Sequence, residues 1–285
     1  MQEKYNIGGQ AIFEGVMMRG KYLVASAVRK SNGSISVNTR RVSSISDRYP
    51  ILKLPFIRGV SSLFETMSLG IKELTHSEQI FDDGDEKLTD VELTVTIMLA
   101  VIFFIFLFIF IPTLLTNIFL RYTSDLFLFN LLEGMIRLGI FLTYLFAISR
   151  KNDMHRILKY HGAEHKTINC YESDEPLTVE NVRKCSRFHA RCGTNFLMIT
   201  MLVSIFVFSF LDPRPYWLRN IFQILSLPII VSISYEILRF AGRSKNFLVH
   251  IAILPGLWLQ HLTTLPPDDE MIEVAIKALE AVKDK

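Results

Sequence analysis

LTVTIMLAVIFFIFLFIFIPTLLTNIFL, residues 93–120, is a nearly unbroken run of hydrocarbon side chains. A bilayer core takes roughly 20 helical residues to cross, so this run is long enough to span one. Pro112 lies within it, at a place where the missing N–H predicts a kink or a stop. No single soluble core buries a 28-residue apolar helix on all sides, and the rest of the chain repeats the pattern. Leu126 to Ile148 is a second span carrying Glu133 and Arg137 one turn apart, where opposite charges neutralise each other inside a bundle. Asn195 to Leu211 makes a third, short span, and Ile221 to Phe240 a fourth, with Glu236 and Arg239 near its end. Phe247 to Leu262 is apolar but interrupted by His250, Pro255, Gly256, Gln260 and His261, which favours a re-entrant or interfacial segment over a fifth span. Half of the 285 residues are apolar and the mean hydropathy is +0.30. The expected fold class is therefore an α-helical integral membrane protein of about four transmembrane helices, with a small α+β N-terminal domain.

Basic residues give the orientation. Residues 149–194 hold nine Lys and Arg, whereas 121–125 and 212–220 hold one and two. The positive-inside rule then puts the N-terminus and the 149–194 segment in the cytoplasm of a multi-pass cell-membrane protein. The N-terminus lacks a basic stretch followed by an apolar run, so no signal peptide is expected. The net charge of +3 makes no case for a specific nucleic-acid partner. The bilayer is the expected partner, and a homo-oligomer is compatible with the pattern.

The chain divides into 1–90, a cytoplasmic α+β domain; 91–148, the first helix pair; 149–194, a cytoplasmic helical hairpin; 195–264, the second pair with the re-entrant or interfacial segment; and 265–285, a cytoplasmic tail. In the first region Glu14 and Arg19 are the only charges in a Gly-rich apolar run, which suggests a buried pair or a pocket rim. Tyr22 to Arg29 and Ser34 to Val42 are β-rich, and Asn32-Gly33 between them suits a tight hairpin. After Pro55, Ile57, Val60, Leu63, Phe64, Met67, Ile71 and Leu74 recur at helical spacing, a stripe expected to pack on the sheet; a membrane-surface role is the alternative. The acidic 82–86 stretch reads as a linker. The tail ends in a short amphipathic helix with Ile272, Ala275, Ile276 and Leu279 on one side.

The 149–194 segment carries the chemistry. Tyr160-His161-Gly162-Ala163-Glu164-His165 contains H-x-x-E-H, and Cys185, His189 and Cys192 follow at i, i+4 and i+7. On helices these spacings put His161 and His165 on one face and the second trio on one stripe. Asn152 to Asn169 reads as one helix and Thr178 as the cap of another running to Cys192. In an antiparallel hairpin, His161, His165, His189 and Cys192 form a three-nitrogen, one-sulfur site. Zinc is the natural occupant, although iron and nickel share the imidazole preference. H-x-x-E-H is also the inverted zinc-peptidase motif, in which the Glu activates water, here Glu164. The downstream carboxylates Glu172, Asp174, Glu175 and Glu180 lack convincing ligand spacing. Three clustered cysteines argue against a disulfide framework.

Residues 8–11 (GGQA) and 14–20 (EGVMMRG), 55–60 (PFIRGV), 160–166 (YHGAEHK), 189–196 (HARCGTNF) and 254–257 (LPGL) with Gln260 and 262–264 (LTT) closely resemble the bacterial YqhQ family along nearly the whole chain. The resemblance implies a domain of unknown function, usually described as a predicted metal-dependent enzyme. It puts His161, Glu164, His165, His189 and Cys192 on family motifs, and leaves Cys170 and Cys185 off them. Two functions follow as expectations. One is a metal-dependent hydrolase at the cytoplasmic membrane face with Glu164 as catalytic base. The other is a non-catalytic membrane factor whose metal staples the hairpin while its surface binds a protein partner, such as the translation or protein-insertion machinery. Four protein ligands would close the metal site and disfavour catalysis; three would leave a position open.

Overall fold

A computed structural model describes residues 7–82, 89–119, 125–211, 215–241 and 247–283. Four strands, β1 (Gly8–Ile12), β2 (Gly15–Arg19), β3 (Leu23–Arg29) and β4 (Ile35–Arg41), form one antiparallel sheet in sequence order. The β3–β4 hairpin turns at Gly33, whose φ of +83° and N–H bond to the Lys30 carbonyl are what Asn32-Gly33 led one to expect. Alternation splits the sheet's side chains between two faces. Ile12, Met17, Val24 and Val28 pack with Leu69 and Ile80 of α2 (Arg58–Asp82). Val16, Met18, Ala25 and Ala27 pack against α6 (Asn152–Glu172) and α11 (Asp269–Lys283).

The sheet is thus covered by helices on both faces, and the second cover comes from distant parts of the chain. Met271, Ile272, Val274, Ala275, Ala278, Leu279 and Val282 of α11 are buried in that core. The expected tail is a central core element. Its amphipathic stripe was legible, but the opposite side is also apolar enough to be enclosed.

The stripe on α2 behaves otherwise. Val60, Phe64, Met67 and Leu74 are exposed, and the side turned to the sheet combines Leu69 and Ile80 with Gly70, Glu73 and Ser77. The sheet there presents polar groups that need partners: Ser26 donates to Glu73, and the Phe13 N–H donates to Ser77 Oγ at 3.1 Å. A Cβ on Gly70 would lie 2.3 Å from Gln10 Oε1. Polar matching at close range therefore outweighs the apolar stripe, which faces away. Ahead of α2 come α1 (Ile45–Arg48) and a tight 3-10 turn, Pro50–Lys53. The expected linker lies, beyond Asp82, outside the described residues.

Among the described residues three helices are long and apolar enough to cross a membrane: Asp90–Phe119, α5 (Leu126–Ser149) and α9 (Tyr216–Ala241). The first comprises α3 (Asp90–Ile105), a π turn at Phe106–Phe110 and α4 (Ile111–Phe119). It starts at a capping box between Thr89 and Glu92, and Pro112 does not end it. Pro112 cannot donate to the Phe108 carbonyl four residues back, and Arg137 Nε does so instead at 2.8 Å. Arg137 also holds Glu133 at 2.7 Å, and Arg219 donates to the other Glu133 oxygen at 2.6 Å. The expected pair is a triad, completed by Gln223 and Thr113. Glu236 does not pair with Arg239; its partner is Arg58. The expected third span is α8 (Gly193–Phe208), only 16 residues long. The ambiguous segment is one helix, α10 (Phe247–Thr263), continuous through Pro255.

Candidate metal centre

The site is assembled where α6, the loop before α8, and β1 meet. His161 and His165 lie one turn apart on α6, with ring centroids 4.5 Å apart. Cys192 is the N-cap of α8, its Sγ 3.4 Å from His161 Nε2. The ligating atoms of His161, His165 and Cys192 all fall within 4.8 Å of one another.

Hydrogen bonds decide which imidazole nitrogen is available. His161 Nδ1 lies 2.8 Å from the Thr263 carbonyl and His165 Nδ1 2.7 Å from the Arg187 carbonyl. A carbonyl can only accept, so each Nδ1 carries the proton and each neutral ring keeps an Nε2 lone pair turned inward. This second-layer carbonyl support is what metal-binding histidines commonly have. Burial also pushes the His165 imidazole below the usual histidine range, although Cys192 beside it acts the other way. Neutral imidazole is the form that binds metal.

Both carbonyls are held in place locally. Leu265 donates its N–H to the Leu158 carbonyl, which lays the segment after α10 across α6. Gly162 permits the crossing, since a Cβ there would sit 2.0 Å from the Leu265 oxygen. On the other side, Asn169 Nδ2 donates to the Ser186 and Phe188 carbonyls, and Lys166 Nζ to those of Arg183 and Cys185. These bonds explain a departure from the sequence expectation. Thr178 caps a helix as foreseen, but α7 (Val179–Lys184) ends after six residues, and the loop to Cys192 is pinned open by α6 side chains.

Cys185, His189 and Cys192 therefore do not form a helical stripe. His189 points its Nε2 at Glu172, 3.4 Å away, and Arg191 binds the other oxygen of the same carboxylate. Its ring centroid is 5.7 Å from that of His165, and its nitrogen is turned to the carboxylate. The expected three-nitrogen, one-sulfur set is reduced to two nitrogens and one sulfur. Glu172, a carboxylate without convincing ligand spacing in the sequence, is the partner of His189 and Arg191 beside the site.

Glu164 is buried, and its Oε2 is 3.6 Å from His165 Nε2 and 3.9 Å from His161 Nε2. Burial raises its carboxyl above the usual range, opposed by His161 and His189 and by a hydrogen bond from the Gly9 N–H. The strand lies so close that a Cβ on Gly9 would meet Glu164 Cγ at 2.7 Å. A cavity of about 350 Å³ opens onto this group, lined by His161, Glu164, His165, His189, Arg191 and Cys192 among others.

Glu14 and Arg19 are not a pair. They bracket β2 at its two ends, roughly 16 Å apart at strand rise. Glu14, with φ +48°, is bound by Arg156 and, at 3.3 Å, by the Tyr160 hydroxyl, which ties the β1–β2 turn to α6 beside the site. Arg19 binds Glu65 at 3.2 Å and lines a different cavity. Cys170 and Cys185 lie outside the ligand group.

Comparison with known proteins gives a family and no activity. Residues 54–285 match the family described as "Protein of unknown function (DUF1385)". The "Uncharacterized protein YqhQ" of Bacillus subtilis (strain 168) is 36% identical over 286 residues, covering 95% of this chain and 90% of that protein. No solved structure matches. The chain belongs to the DUF1385 family and is a relative of YqhQ.

Proposed function

We propose that this is a multi-pass membrane protein whose 149–194 segment, at the cytoplasmic face, carries a zinc-type centre that hydrolyses a substrate. One observation carries the reading: two Nε2 lone pairs and one thiol converge within 4.8 Å, with a carboxylate and an open cavity beside them. Three protein ligands leave a tetrahedral ion one exchangeable position, the arrangement of catalytic rather than structural sites. His161, His165 and Cys192 would hold the ion, and the ion would supply Lewis-acid polarisation of water or of a carbonyl or phosphoryl oxygen. Glu164 is the base that takes up a proton from water in the cavity. Arg191, drawn onto Glu172, places positive charge on the wall where an anionic group of the substrate would lie.

A second reading is favoured by one contact. The Gly9 N–H bond to Glu164 uses the site to fasten β1 to α6, as a structural staple in a non-catalytic membrane factor would. Metal analysis of the purified full-length protein tests both: close to one equivalent of transition metal per chain is expected, lost in His165→Ala and in Cys192→Ala and retained in His189→Ala. Folded wild-type protein that binds no metal under these conditions would end both.

A further inference from the structure

A second cavity, of about 520 Å³, lies on the opposite side of the sheet from the metal centre, between the start of α2 and the end of α9. Among the described residues four cations reach it, Arg19, Lys53, Arg58 and Arg239, and one carboxylate, Glu65, lines it. Three of the cations are already in ion pairs: Arg19 with Glu65, Lys53 with Asp47 at 2.8 Å, and Arg58 with Glu236. Arg239 makes none among the described residues, so the four cations face three carboxylates and the pocket carries one surplus positive charge. The paired guanidiniums also retain N–H donors, since Arg has five and each pair uses one or two. Ser62 adds a lining hydroxyl that no other described residue engages. Surplus positive charge with forked donors and a hydroxyl suits a phosphate group.

The cavity's setting narrows the source of that phosphate. Its wall is the end of a helix long and apolar enough to cross a membrane, and Gly59 brings α2 against it so closely that a Cβ would lie 2.9 Å from Tyr235 Cβ. The residues flanking the lining are apolar and exposed: Ile51 62%, Leu54 51%, Phe56 59% and Phe64 65%. A soluble phosphate site gains nothing from such a rim, whereas a lipid needs apolar surface for its chains next to donors for its headgroup. We propose that this cavity binds the phosphate of an anionic membrane phospholipid, with Arg239, Lys53, Arg19 and Ser62 as donors and the exposed residues of 51–64 in the acyl-chain zone. The inference rests on the membrane reading and is independent of the metal.

The test uses full-length protein in mild detergent, titrated with dioctanoyl phosphatidate, dioctanoyl phosphatidylcholine or inorganic phosphate while its thermal midpoint is followed. Phosphatidate should raise the midpoint with saturation, and phosphatidylcholine and inorganic phosphate should have at least tenfold weaker effects. Lys53→Gln combined with Arg239→Gln should weaken phosphatidate about tenfold or more, and Arg239→Lys should restore part of that loss. Inorganic phosphate acting as strongly as phosphatidate would overturn the lipid assignment, and an undiminished response in the double variant would overturn the site. Should the double variant not fold, a photoactivatable phosphatidate on the wild type decides: crosslinks in 44–65 and 235–239 are expected, and crosslinks confined elsewhere refute the proposal. Membrane extraction of the protein in the absence of added lipid separates failure of this site from failure of the membrane reading.

Discussion

Glu164 separates the two readings of the candidate metal centre. A carboxylate that only accepts the Gly9 N–H can be replaced by Gln, whose carbonyl oxygen still accepts. A base cannot be replaced so. Glu164→Gln should bind metal to the wild-type level yet fail to complement a strain lacking the protein, a loss of about 10²–10⁴-fold in rate being usual for removal of a general base. Full complementation by Glu164→Gln beside failure of His165→Ala would leave the structural staple. Gly162→Ala makes a different demand: its new methyl would meet the Leu265 carbonyl, displacing the segment that holds His161 Nδ1. Its metal content should fall although no ligand has been changed, as measured on the purified variant. At this scale the sequence was legible where spacing alone sufficed. His161 and His165 needed only a helix. His189 was misassigned because helical periodicity cannot reveal that Asn169 and Lys166 capture the carbonyls of the following loop and keep it from coiling.

Among the elements, the rod Asp90–Phe119 and α5 were plain from hydropathy, and the polar groups between them were plain only in part. Glu133 and Arg137 announce a pair by their spacing of four. Arg219 lies 82 residues further along and nothing local connects it to them, yet it is 1% exposed and bound to Glu133. The two cations do not depend equally on the carboxylate. In Arg219→Met, Glu133 still has Arg137, Gln223 and Thr113. In Glu133→Gln, two buried guanidiniums lose at once the one carboxylate they have among the described residues. Breaking a buried pair by removing one partner commonly costs about 3–5 kcal/mol. Glu133→Gln should therefore lose that much or accumulate poorly, and Arg219→Met should lose less, compared by detergent-solubilised unfolding; the reverse order would mean that Arg219 holds the helices together by itself. The α2 stripe teaches the converse lesson. Its periodicity was read correctly and its partner wrongly, because a sheet that turns Ser26, Gln10 and the Phe13 N–H toward the helix selects the polar side of that helix.

Across the whole molecule, if the long apolar helices cross a membrane, the core that joins the sheet to α6 and α11 requires 7–41, 152–172 and 269–283 to lie on one side of it. The end of α9 belongs there too, since Arg58 binds Glu236. At the other end, Asn130 near the start of α5 donates to the Ser209 carbonyl just after α8, and Arg219 near the start of α9 to the Leu211 carbonyl at 2.6 Å. The far end of α8 thus lies beside the starts of α5 and α9, while its near end is Cys192 at the candidate metal centre. At 1.5 Å per residue its 16 residues reach about 24 Å, short of a bilayer core of about 30 Å. Its two ends nevertheless belong to opposite ends of the bundle. The expectation is that α8 crosses, with local thinning or the flanking residues covering the difference. A single cysteine at Tyr216, in a background with Cys170 and Cys185 replaced by Ser, should be labelled by an impermeant maleimide on intact cells, and one at Ser31 only after lysis. Labelling of both only after lysis would keep α8 on the inner side, leave an even number of crossings before α9, and force the end of α9 away from the Arg58 that binds it.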